Sequence, residues 1–109
     1  MRQNQIYKIQ QQITEAYYAG QRERREQLLN ELAHAECPYH IGDWIEIGAV
    51  IGKIRKILHG EAFPFQKQES GIPICHFWIE VATLQHGIRF FPDDLVLSRC
   101  HQIAKATLI

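Results

Sequence analysis

Residues 38–58, PYHIGDWIEIGAVIGKIRKIL, form the run that decides how this chain folds. Gly42-Asp43 reads as a turn, because glycine accepts strained backbone angles and aspartate bonds to nearby backbone. In Trp44-Ile45-Glu46-Ile47 the alternation puts Ile45 and Ile47 on one face of a strand, and Trp44 and Glu46 on the other. Gly48-Ala49 turns the chain. Residues 50–58 then read as a second strand, rich in β-branched side chains, with Gly52 marking a bulge or a close backbone approach. Two strands this close in sequence should pair as a hairpin.

The order Gly42-Asp43, alternating apolar residues, Gly52-Lys53-Ile54 and then Ile57 resembles the opening of SH3-like barrels, including the KOW module of ribosomal and transcription-elongation proteins. The resemblance implies a small five-stranded barrel whose last strand returns beside the first. Ligands of SH3-like domains meet aromatic surfaces and the loops beside them, which would implicate Trp44, Trp78, Phe63 and Phe65.

Upstream, Ile6, Ile9, Ile13, Ala16 and Tyr17 recur at helical spacing on one narrow stripe. The next apolar group, Leu28, Leu29, Leu32 and Ala33, falls on a rotated face, and the phase breaks near Gly20. Glycine suits a helix end, so two helices are expected, 3–18 and 21–35, folded as a hairpin. One kinked helix is the alternative. The run Arg22-Glu23-Arg24-Arg25-Glu26 reads as a solvated helical face, its charges paired at three- and four-residue spacing. Pro38 holds Cys37 extended and ends the helical part.

Downstream, residues 59–73 read as one long loop, with Phe63 and Phe65 flanking Pro64, either pinning the loop or lining a groove. Residues 74–81 alternate, with Cys75, Phe77, Ile79 and Val81 on the core face and His76, Trp78 and Glu80 on the other. Strands at 88–91 and 95–98 complete a set of five, separated by the turn Pro92-Asp93-Asp94, and residues 99–109 would add a short helix or an ordered tail.

With 109 residues, 46% of them apolar and 22% charged, the chain suits one compact unit with a modest core. Twelve basic and twelve acidic side chains balance, so no global field draws it to nucleic acid or an anionic membrane. No apolar run approaches the ~18 residues of a membrane span, and the first residues lack a signal-peptide core. Three cysteines, an odd number at wide spacing, fit a reducing compartment; a cytoplasmic location is expected.

Catalytic motifs are missing: there is no nucleophile elbow, phosphate-binding loop, HExxH or dinucleotide fingerprint. Asp93 and Asp94 read as turn carboxylates that satisfy backbone donors rather than as an acid/base pair. His34, Cys37 and His40 have the spacing of partial zinc ligands, with Cys75, His76, Cys100 or His101 as a possible fourth. Trp44 and Trp78 sit opposite core-facing positions. Either the Ile6, Ile9, Ile13 stripe covers them or they form an exposed patch for a partner.

The expected architecture is α+β: a helical hairpin, residues 1–36, packed on a five-stranded SH3-like barrel, residues 37–109, as one compact unit. The expected role is non-catalytic and without cofactor, a protein-interaction module or accessory subunit using Trp44, Trp78, Phe63 and Phe65. A KOW-like nucleic-acid module using Lys53, Arg55 and Arg89 is the first alternative, and a zinc-stabilised module the second.

Overall fold

The computed structural model describes residues 2–63 and 67–104, and only the backbone of Arg2. Two helices open the chain, α1 (Arg2–Tyr18) and α2 (Arg22–Glu36). They are separate helices rather than one kinked rod. Gly20 takes φ +70°, its N–H bonds to Tyr17 O at 3.2 Å, and the next N–H, of Gln21, reaches back to Ala16 O at 2.9 Å. This 6→1 and 5→2 pair is the Schellman ending that a left-handed glycine permits. The stripe of Ile9, Ile13 and Ala16 then packs against Leu28, Leu29 and Leu32 of α2, all six buried, with Ile6 beside them.

Five strands follow: β1 (Trp44–Ile47), β2 (Val50–His59), and, after a small hairpin of β3 (Gln68–Glu69) and β4 (Ile72–Pro73), β5 (Phe77–Thr83), β6 (Ile88–Pro92) and, beyond a short helix α3 (Asp93–Arg99), β7 (Cys100–Gln102). The main sheet is antiparallel with the order β6-β5-β2-β1-β7, so the last strand does lie beside the first. It pairs as an open sheet: no ladder joins β6 to β7 among the described residues, and the closed barrel expected from the sequence is not found.

Three sequence expectations need correction. Residues 95–98 are helical, because Asp93 and Asp94 after Pro92 suit the first turn of a helix; of the Leu95-Val96-Leu97 run only Val96 is buried. The fifth strand is therefore 100–102, inside the stretch read as a tail, and residues 105–109 lie outside the described ones. The span 59–73 is not a plain loop, since β3 and β4 pair within it.

The core sits between the sheet and the end of α2. Ile45, Ile47, Ile54, Phe77, Ile79 and Val81 are buried together, as their alternation predicts, joined by Ala33 of α2, Cys37 just beyond its end and Val96 of α3. Gly52 is a close approach: a Cβ there would lie 2.5 Å from a Val81 methyl and 2.6 Å from Ala82 O. The bulge falls three residues later, at Arg55, where the pairing steps from Ile54↔Val81 to Lys56↔Glu80.

Candidate functional site

Side chains of directly opposed residues in an antiparallel pair share a face, so the register sorts the sheet into two surfaces. The inner one meets α2. The outer one is built in rows: Ile88, Ala82, Lys53 and Trp44 in one, Phe90, Glu80 and Lys56 in the next, Pro92, Trp78 and Leu58 in a third. Beyond Trp44 lies a row of Ile51, Glu46 and His101.

An antiparallel sheet with one solvated face normally carries polar residues there. This outer face is instead largely apolar. Phe63, from the segment after β2, packs edge-on against Trp78 with centroids 4.8 Å apart and against Phe90 at 5.0 Å. Such pairs contribute about 0.5–1.5 kcal/mol beyond burial, which fixes the cluster as a unit. Phe90 remains 40% exposed and Ile88 43%, while Trp44, Leu58, Phe63 and Trp78 are half-buried. The Trp78 Nε1–H is buried without an acceptor among the described residues.

The helical stripe does not cover these tryptophans, contrary to one of the two expectations. Its isoleucines are taken up by α2, and α2 reaches the opposite face of the sheet through Ala33, with Cys37 packing there just past the helix end. Of the four aromatic candidates, Phe63 and Trp78 touch, Trp44 shares their face, and Phe65 lies outside the described residues. Phe90 was not singled out from the sequence, although it alternates with the core-packed Phe91; only the β5–β6 register reveals that it joins Trp78.

Among the basic candidates, simple alternation would put Lys53 and Arg55 on one face and Lys56 on the other. The bulge at Arg55 shifts the phase so that Lys56, expected on the opposite side, joins Lys53 on the outer face. Arg55 lies 3.7 Å from Glu80 and Glu46 is 2.8 Å from the His101 ring. Lys53 and Lys56 have no ion-pair partner among the described residues. Arg89 opposes buried Val81 and so belongs to the other face of the edge strand.

The zinc candidates do not converge. His34 is exposed on α2, Cys37 is buried in the core, and the His40 ring is solvent-facing, 3.8 Å from Asp43. Among the described residues no three His, Cys, Asp or Glu side chains form a metal-holding group. Asp93 and Asp94 serve the backbone, accepting the N–H of His76 at 2.8 Å and of Leu95 at 2.9 Å. Burial pushes the Cys75 thiol up to about 11 and also raises Cys100, which keeps both thiols protonated near neutral pH and so poorly nucleophilic.

A second assembly, missed in the sequence, gathers around Arg25. Its guanidinium bonds to Glu61 at 2.5 Å, to Gly71 O at 2.7 and 3.1 Å and to Gln68 at 3.1 Å, and lies over the Tyr17 ring at 5.5 Å. It ties the β3–β4 hairpin to the helices. A cavity of about 790 Å³ opens beside it between Tyr17, Tyr18, Glu26 and His59. Every Arg25 nitrogen is engaged by the protein itself, so the group is a clamp.

No protein-family model matches this chain, and neither a curated protein nor a solved structure does. Among the described residues no helix is long and apolar enough to cross a membrane.

Proposed function

We propose that this chain is a non-catalytic protein-interaction module, an accessory subunit of a larger assembly, and that it docks through the outer face of its sheet. The observation that carries the reading is the second apolar face. Trp44, Leu58, Phe63, Trp78, Phe90 and Ile88 gather on the side of the sheet away from α2. Large apolar side chains left on a solvent-facing sheet surface mark sites where another molecule is bound. An SH3-like identity for the sheet is part of the proposal, supported by the return of β7 beside β1. A cytoplasmic setting accords with the three free cysteines.

The test uses the whole chain as bait, with nuclease-treated lysate, in three forms: wild type, Phe90→Asp, and Tyr18→Asp as a control on the helical hairpin, where Tyr18 is 73% exposed. A protein retained by the wild type and the control and lost from Phe90→Asp is the expected result. Partners lost only from the Tyr18→Asp form would move the site to the hairpin and overturn the reading.

A KOW-like nucleic-acid module is the second reading, favoured by the bulge that aligns Lys56 with Lys53. Two features weigh against it. Base stacking needs open ring faces, whereas Phe63 packs edge-on between Trp78 and Phe90. Twelve basic and twelve acidic side chains also leave the chain without the net positive charge that draws a protein to phosphates.

A further inference from the structure

Resting on the protein-interaction reading, we infer that the outer sheet face takes an acidic segment of a partner protein, one whose apolar side chains seat on the Phe63–Trp78–Phe90 cluster while its carboxylates meet Lys53 and Lys56. The charge pattern of the face carries this. Arg55 is within 3.7 Å of Glu80, and Glu46 within 2.8 Å of the His101 ring. Lys53 and Lys56 are both exposed and without an ion-pair partner among the described residues. They stand in successive rows of the outer face, one beside Trp44 and the other beside Phe90 and Glu80. Two rows of one strand are about 7 Å apart, within reach of carboxylates on alternate residues of an extended chain.

The bulge is what makes this pattern. Were β2 to alternate regularly past Ile54, Lys56 would point with Ile54 toward α2, and the face would present a single unpaired lysine. A partner that brings aliphatic or aromatic anchors alone would leave two ammonium groups at the rim with no counter-charge. A second copy of this chain would bring the same unpaired lysines of both molecules to one symmetric interface, which like-charge repulsion disfavours.

The experiment selects binders of the intact protein from a phage-displayed library of random peptides. Recovered peptides are then titrated against the wild type, Phe90→Asp, and the double variant Lys53→Glu with Lys56→Glu. All three positions are exposed, so these variants should fold, and unchanged melting curves check that. The expected peptides combine apolar anchors with Asp or Glu. Their affinity should fall about tenfold or more in both variants, and the loss in the charge-swapped form should shrink as salt rises.

Peptides that lose affinity with Phe90→Asp but carry no acidic residues and ignore the lysine swap would overturn the acidic-partner inference and leave the docking face standing. Peptides indifferent to Phe90→Asp, or no enrichment at all, would overturn both. Oligo-dT is titrated in parallel. Binding to it that depends on Lys53 and Lys56, with no peptide recovered, would assign the face to nucleic acid instead. Self-association in sedimentation that Phe90→Asp abolishes would assign it to a second copy.

Discussion

Arg25 shows how one side chain decides the placement of a distant segment. It is 17% exposed, its partner Glu61 27%, and together with Gln68 and the Gly71 carbonyl they form a fork of charge-assisted bonds across 36 to 46 residues of sequence. Removing it strands a half-buried carboxylate and a carbonyl that had two donors. Arg25→Ala should therefore cost about 1–3 kcal/mol in urea unfolding and speed amide exchange at Glu69 and Ile72. Arg25→Lys should recover only part of that, since an ammonium cannot fork. Unchanged exchange in the β3–β4 hairpin would contradict the clamp. The sequence reading placed the whole run 22–26 in solvent, and Arg22, Glu23, Arg24 and Glu26 are indeed exposed. Arg25 escaped because nothing local in a charged helix marks the one member whose partners lie in a later hairpin.

At the scale of elements, the strongest periodicities were legible and the shortest pieces were not. Both helices, the β1–β2 hairpin and β5 follow from spacing over several residues, although the alternation read over 74–81 begins three residues before β5 and Cys75 lies outside both the strand and the core cluster. Residues 95–98 read as a strand because Leu95-Val96-Leu97 mimics a buried run, which outweighs the helix start that Asp93 and Asp94 mark after Pro92. Glycine inside a strand reads equally as a bulge or as a close backbone approach, and Gly52 is not the bulge. The other reading of Gly52, a close backbone approach, is the one the structure has, toward β5, while the extra residue is Arg55. The turn between helices is a firmer inference. A Cβ at Gly20 meets nothing within 4 Å, so Gly20→Ala suffers only from its backbone angle of +70°. It should destabilise by about 1 kcal/mol, lowering the melting temperature by roughly 4–8 °C. A raised melting temperature would favour a continuous helix.

For the molecule as a whole, alternation identified two faces of the sheet but not which of them the helices would take. Ile45 and Ile47 face one way and Trp44 the other, Phe77 and Ile79 one way and Trp78 the other, and both sets are apolar enough to be buried. The choice is made by packing volume. The helical hairpin spends Ile9, Ile13, Leu28, Leu29 and Leu32 on its own interface and contributes Ala33 and Cys37 to the sheet, small side chains that let α2 approach the branched inner face closely. What is left over is the aromatic face, with Phe63 as its partial cover.

Solvent paramagnetic relaxation with a neutral gadolinium chelate tests that asymmetry in the free protein. Side-chain protons of Phe90, Ile88, Lys53 and Lys56 should relax strongly. Those of Ile54, Ile79 and Val81, each at most 1% exposed, should be spared. Protection of Phe90 and Ile88 equal to that of Ile79 would mean that the outer face is covered within the molecule, and would contradict the account.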